Sequence, residues 1–195
     1  MILGIDYGSK MAGTTVIANL YEHNKVEFYF SKKNQDADQF ILDFVKANKN
    51  VWLIYLDAPL SLPAIYSDSN AEPNYFYRKA DVETKAMSPM FLGGLTARAM
   101  KLKSELNRLG IKVVETYPGK LAELIGLKEI QYKKDKSAIK PCLEIISEKS
   151  KLATNEEAVI NWHYLDALLC LYSAKRHETG NSVVFGEEKE GQIIV

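Results

Sequence analysis

The chain has 195 residues, 47% of them apolar and 26% charged, and its 25 basic and 25 acidic side chains balance to zero net charge. That length and composition suit one soluble globular domain with a sizeable core. The neutral balance excludes a global basic field, so nucleic acid as a partner would have to be met by a local patch. The two cysteines, Cys142 and Cys170, show neither metal-site spacing nor a disulfide framework, and are expected to be reduced and buried in a cytoplasmic protein. The N-terminus lacks the layout of a signal peptide and the apolar runs are too short to span a bilayer, so no membrane partner is expected.

In chain order, "MILGID" reads as a buried strand ending on Asp6, and "GTTVIANL" as a second strand. In "KVEFYFS" the apolar residues alternate at Val26, Phe28 and Phe30, the period of a third strand with one wetter face. The short "YEHNK" connection makes these three an antiparallel meander. "DADQFILDFVKANK" has helical spacing, with Asp36 or Asp38 as its cap. "VWLIYLD" is a continuous apolar run ending on Asp57, as a central parallel strand would be. Residues 58–93 then carry four prolines among many Tyr, Ser and Asn, longer than a structural connection needs, and read as a functional insertion.

"TARAMKLKSELNRLG" is a helix stopped by Gly110, "IKVVET" a buried strand ending on Glu115, and "PGKLAELIGL" a short helix with proline at its start. The lysine-rich "KEIQYKKDK" reads as a solvated loop before a helix around 137–149. Thr154 and Glu157 have the spacing of a capping box for a long helix to about residue 177, which Gly180 stops. Residues 182–195 form two short strands around a polar turn. The whole reads as one α/β domain, a mixed sheet with helices on both faces.

Three strands end on an acid, at Asp6, Asp57 and Glu115. Any one could be a turn former, but parallel strands deliver their carboxyl ends to one sheet edge, where ligands bind. Carboxylates gathered there repel one another unless a proton or cation lies among them, and Mg²⁺ or Mn²⁺ suits oxygen ligands. Asp166 lies mid-helix in "INWHYLDALLCLYSA", where an unpaired carboxylate would cost several kcal/mol. His163, three residues earlier, shares its face. The pair reads either as a buried His–Asp contact or as metal ligation and proton transfer.

"GIDYGSKMAG" resembles the first-strand motif of ribonuclease H-like nucleases, especially the Holliday-junction resolvase branch, and "HYLDALLC" resembles the terminal-helix motif of that branch. With "LDAPLSLP", "YRKAD", "VVETYPG" and "EGQIIV", the chain resembles domain-of-unknown-function family 429, predicted nucleases of that fold. The resemblance implies a ribonuclease H-like mixed five-stranded sheet, with catalytic acids on strands one and four and on the last helix. Asp6, Asp57 and Asp166 would then hold Mg²⁺ or Mn²⁺, in a two-metal site, for hydrolysis of phosphodiester bonds in DNA or RNA. Glu115 would bind the second ion or orient its water, and His163 would ligate or move a proton. Strand four usually carries Glu in resolvases, whereas Asp57 is one methylene shorter. Resolvase-like relatives commonly pair, so a homodimer is also implied.

The candidate phosphate-binding cations are Lys10 after the first strand, Arg78 in the insertion, and Arg98 and Lys101 on one helix face. Each has a plainer reading: Arg78 as a solvated pair with Asp81, the helix as an ordinary charged surface interrupted by Glu105, and Lys133, Lys134 and Lys136 as a solvated loop. Gly4, Gly8 and Gly13 read as room for backbone to approach a phosphate and for the hairpin to turn. Two other readings compete with the nuclease. One is an actin-like phosphate-handling enzyme using "DYGSKMAGTT" as its phosphate loop; the other is a non-catalytic binding module that kept the fold.

Overall fold

The computed structural model describes residues 1–71 and 73–195. The first three strands, β1 (Ile2–Asp6), β2 (Val16–Leu20) and β3 (Val26–Phe30), form the antiparallel meander. After α1 (Ala37–Ala47), β4 (Leu53–Asp57) pairs parallel to β1. The insertion holds a 3₁₀ turn at Ala64–Tyr66 and two short helices, α2 (Lys79–Thr84) and α3 (Pro89–Leu92). Next come α4 (Gly94–Arg108) and β5 (Lys112–Glu115), which pairs parallel to β4. The sheet order is β3-β2-β1-β4-β5, consistent with the ribonuclease H-like fold. Helices α5 (Pro118–Leu124), α6 (Ile139–Ser150) and α7 (Trp162–Glu178) follow, and β6 (Val184–Glu187) with β7 (Gly191–Ile194) makes a separate antiparallel pair.

The two-residue period of the strands sorts the apolar side chains into two cores. Leu3, Ile5, Ile54, Leu56 and Val113 meet Ile41 of α1 and Leu102 and Leu106 of α4. Ile2, Leu53, Tyr55 and Val114 meet Leu121 of α5, Ile146 of α6 and the long apolar run of α7. In α7 every residue from Tyr164 to Ala174 is buried, so the helix is enclosed on all sides rather than laid on a surface. No helix among the described residues is long and apolar enough to cross a membrane.

One local reading is settled between its two alternatives and another changes. Asp36, not Asp38, caps α1, accepting from the amides of Asp38 and Gln39. The Thr154–Glu157 box does not start the last helix. Asn155 caps a separate 3₁₀ turn at Glu156–Ala158, the chain then extends, and Asn161 caps α7 by accepting from the amide of His163 at 2.9 Å. Two Asn caps six residues apart compete with the box, and the later one wins because the apolar run begins behind it.

Gly4 sets how closely α7 approaches the sheet. A Cβ there would lie 2.2 Å from the backbone nitrogen of Leu171 and 2.4 Å from the carbonyl oxygen of Ala167, neither of which can rotate away. The space that sequence alone assigns to a phosphate is filled by helix backbone. Gly4→Ala is therefore expected to push α7 off β1 and cost about 1–3 kcal/mol, the range for overpacked cores. Urea denaturation read by circular dichroism would check it, and an unchanged midpoint would contradict this account of the packing.

Candidate metal centre at the sheet edge

Register places the first two acids side by side. Asp6 of β1 is the direct neighbour of Asp57 in β4, and both extend the set of alternate residues that faces α7. The close approach at Gly4 lays α7 over them, one turn and more before Leu171, and lowers Asp166 onto the pair. One carboxylate oxygen from each of Asp6, Asp57 and Asp166 lies within 4.8 Å of the others. Asp6 is 8% exposed and Asp166 1%, while Asp57 keeps a partly exposed edge.

Their partners differ. Asp6 Oδ2 lies 2.8 Å from His163 Nδ1, so the imidazole of α7 reaches the first-strand acid and not Asp166 in its own helix. Asp166 accepts from the Tyr132 hydroxyl, and its other oxygen is 2.5 Å from Lys133 Nζ. Asp57 has no hydrogen-bond or ion-pair partner among the described residues. Burial, then the negative charges of Asp6 and Asp166, push the Asp57 carboxyl well above the ordinary range. Burial likewise lifts Asp166 to about 6, against the pull of Lys133. The Asp6 contact raises His163 above its ordinary value, outweighing burial.

Tyr132 and Lys133 belong to the segment that sequence alone reads as a solvated loop. Tyr132 is 6% exposed and packs edge-on to Trp162, with ring centroids 5.3 Å apart. Gln131 and Lys133 both take left-handed backbone, at φ 70° and 59°, which aims the lysine inward. A tyrosine inside a lysine-rich run is the one sequence signal that such a loop folds back onto the core.

Glu115 is a correction to the convergent-acid expectation. It pairs in register with Leu56, so it shares that residue's face of the sheet, opposite Asp6 and Asp57. The position in line with Asp57 is Thr116, whose hydroxyl instead bonds Ser173 of α7 at 3.0 Å. Glu115 is held by Arg78 at 2.6 and 2.7 Å and by the Leu60 amide at 2.8 Å. Arg78 is in turn neither a phosphate clamp nor solvated. It is 0% exposed, and its five N–H groups go to Asp81 (two), Glu115 (two) and Ser61.

The remaining candidate cations are also engaged. Arg98 bonds both oxygens of Asp38 at 2.7 and 3.0 Å and lies 4.8 Å over the Tyr7 ring. Lys10 is 3.1 Å from Asp36. Lys101, with a side chain 77% exposed, is 3.7 Å from Glu105 and away from the acids. The structure thus brings Asp6, Asp57, Asp166 and His163 together, adds Lys133 and Tyr132, and separates Glu115, Arg78 and Lys101 from them.

An all-carboxylate oxygen set fits a hard divalent cation. Among the described residues, one ammonium contacts Asp166 and one imidazole contacts Asp6, which leaves Asp57 as the open acceptor.

Arg78→Met would leave Asp81 and Glu115 buried without their counter-ion, and is expected to cost about 3–5 kcal/mol in chemical denaturation. A stable variant altered only in ligand binding would contradict the structural role. The acids predict a pH trend for metal-free protein. Carboxyls whose folded pKa is raised stabilise when protonated, so their contribution is complete below about 4 and is lost as pH climbs through about 6, the value for Asp166. The melting temperature without metal should fall over that window, and Mg²⁺ or Mn²⁺ should flatten the fall. A metal-free curve that instead rises there would contradict the raised values.

No curated protein matches the chain. A family model described as "Protein of unknown function (DUF429)" matches residues 91–190, just over half of the chain. The matched part carries Asp166, His163, Tyr132 and Lys133 and stops short of Asp6 and Asp57. On this match the chain belongs to the DUF429 family.

Proposed function

We propose that the protein is a divalent-metal-dependent nuclease, hydrolysing phosphodiester bonds at the edge where Asp6, Asp57 and Asp166 converge, in a cytoplasmic setting. One observation carries the reading: three carboxylate oxygens lie within 4.8 Å of one another, at a sheet edge consistent with the ribonuclease H-like fold. A structural cluster would satisfy its acids internally, whereas Asp57 is left without a partner. Mg²⁺ or Mn²⁺ held by these acids would supply an activated water and stabilise the departing oxygen.

The protein's own groups have separable tasks. Asp57 offers its free oxygens toward the open side. Asp6 is oriented by His163, whose second ring nitrogen has no partner among the described residues and can take or give a proton at the cluster. Lys133 pairs with Asp166 and places an ammonium beside the cluster. Tyr132 fixes the Asp166 rotamer from the buried side. The phosphate-loop alternative finds less support. At Gly8 the space for a Cβ is taken by Thr14, and at Gly13 by the Lys33 backbone 2.5 Å away, so these glycines serve chain packing.

Titration calorimetry with Mn²⁺ should show binding that Asp57→Asn weakens by more than about 100-fold, beyond the roughly 10–100-fold cost of losing a group that only hydrogen-bonds to a ligand. Mn²⁺-dependent cleavage of an oligonucleotide should fall to background in Asp6→Asn. Absence of binding to the wild-type chain would sink the metal centre, and cleavage retained by Asp6→Asn would place the activity elsewhere.

A further inference from the structure

A cavity of about 390 Å³ opens beside the acids, and both Asp57 and Lys133 stand in its wall. Its volume lies within the range of small-molecule sites. Most of its lining is apolar or aromatic, notably Tyr7, Met87, Leu92, Leu95, Tyr117 and Ile193. The insertion supplies two of these, Met87 and Leu92, so the segment roofs the space beside the cluster.

The polar floor of the cavity is Arg78 with Asp81 and Glu115. One guanidinium faces two carboxylates there, so the floor is negative and disfavours an anion. Nor do the nearby cations offer a track for a phosphate backbone, because Arg98, Lys10, Arg78 and Lys133 are each held by a carboxylate. A neutral, flat group therefore fits the cavity better than a second phosphate does. Tyr7 is buried with Arg98 over its ring, so the half-buried Tyr117 is the aromatic wall on which a flat group can stack.

We propose that this cavity receives one unpaired nucleobase, that of the nucleotide whose phosphate lies at the acid cluster. The inference rests on the nuclease reading and narrows its substrate class. A base inside a duplex is stacked and paired and cannot enter a walled cavity, so the strand must be single or the base flipped out. The sharing of Asp57 and Lys133 between cluster and cavity makes phosphate and base parts of one nucleotide.

The test compares adenosine 5′-monophosphate with ribose 5-phosphate, which lacks the base, by calorimetry on the full chain with Mn²⁺. The base should strengthen binding at least about five-fold, the lower end of base–aromatic stacking. Leu92→Trp and Met87→Trp each fill the cavity and should abolish that difference while leaving Mn²⁺ binding unchanged. Met87 is 61% exposed, so its replacement leaves the core intact and guards against a misfolded Leu92→Trp. Equal affinities of the two ligands, or a difference that survives both variants, would overturn the nucleobase pocket while the metal centre stands. Failure to bind Mn²⁺ would instead overturn the nuclease reading. Adenosine, which needs no metal, then reads the pocket alone: binding lost in both variants supports it and no binding refutes it.

Discussion

The contact between Gly4 and the backbone of α7 is the constraint on which the site depends. With no side chain at that position, the helix lies directly on β1, and Leu171 and Ala167 occupy the volume a Cβ would need. Asp166 is one residue before Ala167, so its height above the sheet is fixed by this approach. The pleat does the rest, since Gly4 and Asp6 point to the same face. A helix held even a side chain's thickness further out would carry Asp166 away from the two strand acids. The cost of enclosing a carboxylate in a fully buried helix is offset by the Tyr132 hydroxyl and the Lys133 ammonium, both delivered by a loop.

A second constraint, independent of the first, ties the insertion to the sheet. Arg78 lies one residue before α2 and reaches across to Glu115 on β5, while Asp81 from the first turn of α2 closes the other side. Buried ion pairs contribute little net stability against well-packed apolar groups, because desolvation offsets the attraction. Their geometry is what they supply here. A guanidinium with all five donors committed has one orientation, and through it the insertion has one position over the sheet edge. The floor of the cavity beside the acids is thus set by charge pairing, and its walls by apolar contacts.

The three clustered acids are legible in the sequence because each stands where a carboxylate is anomalous. Asp6 and Asp57 end apolar strands, and Asp166 interrupts an apolar helix. Glu115 shows the same anomaly yet belongs to the other face. The continuous apolar runs of central strands hide their parity, and only the register of Leu56 with Glu115 reveals it. Arg78 and Asp81 are legible as a pair, but their burial is not, since nothing local distinguishes a solvated ion pair from one sealed by a third residue 37 positions away. Lys133 is hidden for a different reason: its role follows from left-handed backbone that no glycine marks. The antiparallel meander of β1 to β3, by contrast, follows from a short connection and from apolar alternation, both of which are local properties.

The distribution of partners within the acid cluster gives it a direction. His163 engages Asp6, and Lys133 and Tyr132 engage Asp166, all from α7 and the segment that precedes α6. Asp57 receives none of these contacts and is the acid in the cavity wall. Its carboxyl is burdened by burial and by the charges of Asp6 and Asp166, against only a weaker opposing pull from Lys133. The unmet acceptor capacity of the cluster therefore faces the cavity that Asp57 lines. A zero net charge does not describe this edge, where the local field is set by which few groups remain unpaired and not by the molecule as a whole.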